Sequence, residues 1–335
     1  NQGGNYTSAD LALTVDSGAL NLVEGDILEV AKADAATYDN EILRVSQDPV
    51  SDTVITVTRG YGGTTAATIL DDAVLVKIGS AYAEGTGSPT ATTRNPTKLY
   101  NYCQIFKTPY EITATAAETN TRTGDPVQMD KKRKMSDHSI AMEYALILGK
   151  RSEQIGGNGK PERTTGGLMQ FITSNRTIFS GQGTSAGQWG IDNLLTALST
   201  PFNYTSKSGD ERFAIMGNTA LLTLNRLVAN TTGSVIEYTG PIEVYGMNLR
   251  KFVTPQGILY VKSHPLMSRH PQLTKAALIL DMANIKYRPM KGRDTKFQDN
   301  IQENDSDSKK GQWMTEAGFE INHEETMAYM GNFGG

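Results

Sequence analysis

Apolar positions in this chain follow two rhythms. Over residues 11–80 they alternate with polar ones in short runs, Asp26–Val30, Glu41–Val45, Thr53–Thr58 and Ala73–Ile78, divided by turn-rich segments. In the third run Ile55 and Val57 share one side of a pleated strand, while Val54, Thr56 and Thr58 share the other. Arg59-Gly60-Tyr61-Gly62-Gly63-Thr64 follows, and its glycines permit a tight return toward the fourth run. These runs predict a small hairpin-rich or barrel-like β-module. A Gly/Ser/Thr/Pro segment over 85–97 then reads as a linker.

The second rhythm is helical. Within residues 101–155 an extended, Thr-rich arm runs straight into one long helix with few apolar positions in its first half. Asp125 suits the N-cap, Pro126 the first helical position, and Gln128 a capping box. Arg151 in the last turn and Gly156-Gly157 beyond it place the end, so the predicted helix covers 126–153, about 42 Å long. Downstream, 168–172 and 176–179 predict short strands. Ile191, Leu194, Leu195 and Leu198 predict an amphipathic helix. Phe213–Met216 predicts a buried strand, and Leu221, Leu224 and Val228 a second helix after Gly217-Asn218. Strands are predicted at Val235–Tyr238, Ile242–Tyr245, Leu249–Val253, Ile258–Lys262 and Ala276–Tyr287. A polar excursion over 289–310 precedes closing strands at Gly311–Asn322 and Glu325–Asn332.

Composition sharpens the picture modestly. Hydrophobic residues make up 38% of the 335 and aromatics 7%, with 33 glycines. That is lean for a self-sufficient core and suits a subunit that borrows stability from neighbours. Net charge is −4, which gives no whole-chain attraction to nucleic acid. Cys103 is the single cysteine, so no intrachain disulfide framework exists. No run approaches 18 apolar residues. The chain opens on Asn1 rather than Met, as expected either of a proteolytically matured chain or of a piece of a longer one.

Catalytic motifs fail on context. Gly183-Thr184-Ser185-Ala186-Gly187 has the spacing of a nucleophile elbow, and Asp210 or Asp281 with His323 would complete a triad in order. The chain, however, has no repeating βαβ units. Gly159-Lys160 resembles a phosphate loop, but Pro161 stands where Ser or Thr belongs. His323-Glu324-Glu325 lacks the second histidine of a zinc motif, His264 and His270 lack adjacent ligands, and Asp305-x-Asp307 lacks a calcium-loop glycine. Lys131-Lys132-Arg133-Lys134 is the one dense basic run. It reads either as a phosphate-contacting patch or as a solvated or ion-pairing helix face. The absence of interleaved aromatics and the acidic total favour the second. Trp189 and Trp313 read as core or interface anchors.

Four segments together carry a family likeness: Ile55-Thr-Val-Thr-Arg-Gly-Tyr-Gly-Gly-Thr64 leading to Ile78-Gly-Ser-Ala-Tyr-Ala-Glu84; Asn101-Tyr-Cys-Gln-Ile-Phe106 feeding the long helix with Glu143 and Gly149-Lys150-Arg151 near its end; Gly166-Gly167-Leu168; and Trp313-Met-Thr-Glu-Ala-Gly-Phe319 followed by Ala328-Tyr-Met-Gly-Asn332. In this order they resemble the major capsid proteins of tailed bacteriophages, which share the Hong Kong 97-type fold. The resemblance implies an α+β chain with a long spine helix, an extended β-loop carrying the small β-module, and an α/β axial domain. Residues 1–92 would form the N-terminal arm and extended loop. Residues 93–167, including the spine helix 126–153, would form the peripheral domain, 168–280 the axial domain, and 281–335 the return to the peripheral domain.

The implied function is that of a major capsid protein of a tailed double-stranded DNA phage, self-assembling as pentamers and hexamers into an icosahedral shell. The genome would be enclosed without sequence-specific binding. Portal and decoration proteins would be further partners, with no membrane, cofactor, metal or catalysis involved. The protein would be assembled in the host cytoplasm and reside in the virion. Assembly contacts are expected at Arg59, Tyr61, Lys131, Lys132, Arg133 and Lys134. Some relatives crosslink through Lys–Asn isopeptide bonds. Lys32 and Lys77 lie in the extended-loop region, but no motif assigns either a partner. The alternatives are another virion component, a decoration or tail-tube protein, and a serine hydrolase using Ser185.

Overall fold

Period-2 patterning becomes a real sheet in the first of two units, residues 1–99. The computed structural model describes residues 5–31, 40–93, 98–119, 124–230, 237–244, 247–254 and 256–334. In the first unit β1 (Ala12–Thr14), β2 (Asp26–Ala31), β3 (Ile42–Val45), β4 (Val54–Thr58) and β5 (Val74–Ser80) form one sheet in the order β1-β4-β3-β2-β5. Ile55 and Val57 are buried with Leu13, Leu28, Leu43, Val45 and Ile69, and Val54 and Thr58 are exposed. The predicted alternation is therefore borne out. The predicted return of the fourth run onto the third is corrected. β5 pairs with β2, which lies two strands away from β4 in the sheet, with a bulge between Ile27 and Leu28. Residues 85–93 are exposed coil.

Among its described residues the second unit, residues 100–335, holds a seven-stranded sheet, a four-stranded sheet and a two-stranded hairpin. Its elements run β6 (Gln104–Thr113), α1 (Ala114–Glu118), α2 (Pro126–Leu148), β7 (Ser152–Ile155), β8 (Pro161–Thr164), α3 (Leu168–Phe171), β9 (Arg176–Ile178), α4 (Ile191–Ser199) and β10 (Glu211–Met216). Then come α5 (Asn218–Asn230), β11 (Glu237–Val244), β12 (Met247–Thr254), β13 (Gly257–Ser263), α6 (Pro265–Arg269), β14 (Ala277–Leu280), β15 (Ile285–Pro289), β16 (Lys296–Gln298), β17 (Ser308–Ile321) and β18 (Ala328–Gly331). The architecture is α+β.

Seven strands in the order β11-β12-β13-β10-β14-β18-β9 make the larger sheet. Its centre is buried on both faces, which is why β14 is apolar at every position. Ala277 and Ile279 face one core with Ala214, Met216, Ala328 and Met330, beneath α4 and α5. Leu278 and Leu280 face a second core with Ile215, Tyr329, Met267 and the end of α2 at Ile147. Trp189 lies in the first core, its ring 4.5 Å from that of Phe333. The smaller sheet centres on β17, which pairs with β6 over ten residues, from Ser308 opposite Thr113 to Ala317 opposite Gln104, and also with β15 and β16.

Several predicted elements are corrected. The long helix stops at Leu148, not at 153. Its last carbonyls are crossed by the chain at Gly149 and Gly167, where a methyl group on Gly167 would stand 2.6 Å from the carbonyl oxygens of Ala145 and Leu146. Arg151 lies in coil just ahead of β7, and Gly156-Gly157 turns the β7–β8 hairpin. Residues 168–171 are one helical turn rather than a strand. The predicted strand Ala276–Tyr287 breaks in two, because the carboxylate of Asp281 caps a tight turn by accepting from the N–H of Ala283. The closing strand shortens to Ala328–Gly331, since Glu324–Thr326 forms a turn. Of the other predicted strands, residues 235, 236 and 245 lie outside the described residues.

Candidate functional site

In the first unit the residues expected at assembly contacts serve the module itself. Arg59 donates from Nε and Nη2 to the two oxygens of Glu41 at 2.7 and 2.8 Å. Its remaining donors reach the carbonyls of Thr7, Asp10 and Ala67. Burial would raise the Glu41 carboxyl, but Arg59 and the N–H groups of Ala67 and Gly60 outweigh it and hold the carboxyl below its usual range. Gly60 and Gly62 take positive φ of 62° and 69°, which lets the Tyr61 turn close. The Tyr61 carbonyl accepts from the Thr64 hydroxyl at 2.9 Å, and its side chain is half-buried. Arg59 thus points inward. Lys77 Nζ lies 2.6 Å from Asp26 Oδ2, and Lys32 lies outside the described residues.

In the second unit α2 starts as its cap predicts, with Asp125 Oδ1 accepting from Val127 and Gln128. Only His138 and Ile147 of its 23 residues are fully buried. That is the lean stripe expected from sequence. The helix divides the basic run. Lys131 Nζ sits 3.5 Å from the centroid of the Phe297 ring, and the Lys131 carbonyl accepts from Trp313 Nε1 at 3.2 Å. Lys134 lies 3.8 Å from Asp137, while Lys132 and Arg133 are exposed. The aromatics absent from the local sequence come instead from β16 and β17.

Sequence reasoning missed His138, whose ring ties the helix to both strands beneath it. Nδ1 is 3.0 Å from Thr108 Oγ1 on β6, and Nε2 is 2.7 Å from Thr315 Oγ1 on β17. Burial pushes its pKa down. The signal available in the sequence was a lone histidine inside the long helix; the threonines it meets are brought to it by the tertiary fold. A cavity of about 280 Å³ opens beside this residue, lined by Met135, Met142, Glu143, Leu146 and Phe319 among others. Its lining is largely apolar and presents no nucleophile–base pair.

The catalytic lures resolve into structural roles. Ser185 lies in the loop between β9 and α4, six residues before the helix, with its N–H on Gln188 Oε1 and its carbonyl accepting from Asn193. A nucleophile elbow requires the serine at the strand-to-helix turn itself. Asp281 is spent on Ser206, Ser208, Ala283 and Asn284. Glu324 holds Thr173 and Ser174, and His270 Nδ1 accepts from Gln272 and Leu273. Gly159-Lys160 belongs to the β7–β8 turn. Among the described residues no three His, Cys, Asp or Glu side chains converge as a metal site, and no helix is long and apolar enough to cross a membrane.

Comparison with known proteins complements this geometry. A family model described as SU10 major capsid protein matches residues 17–333. The chain is 26% identical over 250 residues to a major capsid protein of Pseudomonas phage PaMx41, covering 73% of this chain and 58% of that protein. It therefore spans under two thirds of the length of the curated relative it matches. Solved structures similar to it include the holo-SrpI encapsulin complex from Synechococcus elongatus PCC 7942, at 9% identity and TM-score 0.46 over 68% of this chain and 73% of that one. Another is that of Mycobacterium phage Patience, at 8% identity and TM-score 0.45 over 76% and 78%.

Proposed function

This chain belongs to the SU10 major capsid protein family, and from that premise we propose that it is a shell-forming subunit of a tailed double-stranded DNA phage. It assembles with itself as pentamers and hexamers of an icosahedral shell, and its role is structural rather than catalytic. The family match across residues 17–333 carries the reading. The lean spine helix and the predominantly structural use of titratable side chains agree with it.

In this reading the Hong Kong 97-type description organises the chain. Residues 1–92 are the arm and extended loop, 93–167 and 281–335 the peripheral domain, and 168–280 the axial domain. Portal and decoration proteins are partners of the assembled particle in the virion, which forms in the host cytoplasm. DNA is enclosed without sequence-specific contacts, as expected where the chain carries a net charge of −4. Lys132 and Arg133 are the members of the basic run placed to meet a neighbour. Purified protein examined by sedimentation and negative-stain microscopy tests the reading. Megadalton shells are expected, and a monodisperse monomer under all assembly conditions would overturn it.

A further inference from the structure

Two surfaces present apolar side chains to solvent, with charges of opposite sign around them. The first is β5, an edge strand paired with β2 on one side and with no described strand on the other. Val74, Val76 and Ile78 are 62%, 44% and 50% exposed, and Asp71 and Asp72 stand exposed just before them. An exposed apolar edge of this kind is ordinarily covered or charged to prevent pairing. Residues 1–99 carry six Lys and Arg against thirteen Asp and Glu.

The second surface is the β7–β8 hairpin of the other unit. Two strands alone are marginal in water, and here nearly every position is exposed. Glu153 and Arg163 form a cross-strand pair beside Tyr102, and two residues on, Ile155 shares their face at 81% exposure. The Arg163 guanidinium lies 5.8 Å from the Tyr102 ring, Tyr102 meets Tyr100 edge-on at 5.6 Å, and Arg151 covers Tyr100 at 4.0 Å. Tyrosine and arginine around a protruding aliphatic side chain is the composition of an interface hot spot.

We infer that the hairpin face of one copy docks on the β5 face of a second copy's N-terminal unit. The inference rests on the shell-subunit reading and names which surfaces meet. Apolar side chains are unsatisfied on both faces. The basic Arg151–Arg163 side complements the acidic module. The contact joins different patches of two identical chains, the heterologous geometry that closes into rings. Nucleic acid fits the hairpin face less well. Ile155, at 81% exposure, gives a phosphate backbone nothing to bind, whereas it can pack against the exposed valines of β5.

Full-length chains carrying Val76→Cys and Ile155→Cys, each with Cys103→Ser, are mixed under assembly conditions and treated with a short bis-maleimide. A dimer joining one chain of each kind is expected, at several times the yield of either variant alone. Val74→Asp added to the Val76→Cys chain, and Arg163→Glu added to the Ile155→Cys chain, should each lower that yield at least tenfold while leaving the circular dichroism melting profile unchanged. Shells without the mixed crosslink would overturn the inference and leave the shell reading intact. The crosslink without shells would do the reverse. A crosslink confined to monomers of a doubly substituted chain, or duplex DNA binding that is lost in Tyr102→Ala, would also overturn the inference.

Discussion

Arg59 and Glu41, eighteen residues apart, form a two-pronged ion pair whose side chains are only 4% and 3% exposed. The pair gathers the 60–67 loop, the 7–10 turn and the start of β3 at one point. Removing one partner of a buried pair strands the other charge, at a cost of about 3–5 kcal/mol. Arg59→Ala should therefore unfold the N-terminal unit at markedly lower urea, seen as protease cleavage within residues 5–93 while fragments of 100–335 survive. Glu41→Leu combined with Arg59→Met should recover only part of the loss, because the N–H groups of Gly60 and Ala67 lose their acceptor.

His138 makes stability depend on pH with a definite sign. Burial lowers its folded pKa from the ordinary 6.5, so the unfolded chain binds a proton more readily than the folded one. Above about pH 6.5 both states are neutral and the histidine has no effect. As pH falls below that value, stability drops until the folded state also protonates. A series of melting temperatures between pH 7.5 and 5 should show this slope in the native chain, and His138→Gln should flatten it.

Gly167 is needed for space rather than for backbone freedom, since its φ is −105°. A Cβ there would meet the Ala145 and Leu146 carbonyls at 2.6 Å and the Gly149 nitrogen at 2.8 Å. Gly167→Ala should destabilise the second unit by about 1–3 kcal/mol through overpacking. Denaturant melts of the purified variant check this, with Gly157→Ala, where nothing lies within 4 Å, as the neutral control.

The basic run should separate by function. Lys131→Met removes a cation from the Phe297 face and should cost about 0.5–1 kcal/mol of stability. Lys132→Glu with Arg133→Glu, both exposed, should leave the melting temperature within about 2 °C. Their effect belongs in particle yield. Light scattering during assembly distinguishes the two classes.

Ser185 should be inert. Fluorophosphonate probes should leave the native chain unlabelled, and Ser185→Ala should assemble with unchanged yield. Covalent labelling lost in the variant would restore the hydrolase alternative.

The N-terminal unit owns a closed core drawn from Leu13 to Ile69. Deleting residues 11–80 should therefore leave the second unit soluble and folded but defective in assembly. Normal shells from that deletion, seen by negative-stain microscopy, would sink the proposed role of the module.

Sequence alone determined four of the five strands of the first unit, the start of α2 and the amphipathic helix α4, because period, cap and turn chemistry act within a few residues. Asp125-Pro126 needed nothing distant to begin a helix, and Ile55 and Val57 needed only the pleat to share a face. The four ordered segments also identified the family resemblance. Tertiary structure decided where α2 ends, because Thr165–Gly167 crosses its last turn and local propensity favoured continuing. It turned Arg59 inward through a carboxylate just ahead of another strand, and it moved β5 from its sequence neighbour to β2. It also joined His138 to Thr315, 177 residues away. Those choices depend on desolvation and close approach between remote residues, to which the local rhythm of a chain is blind.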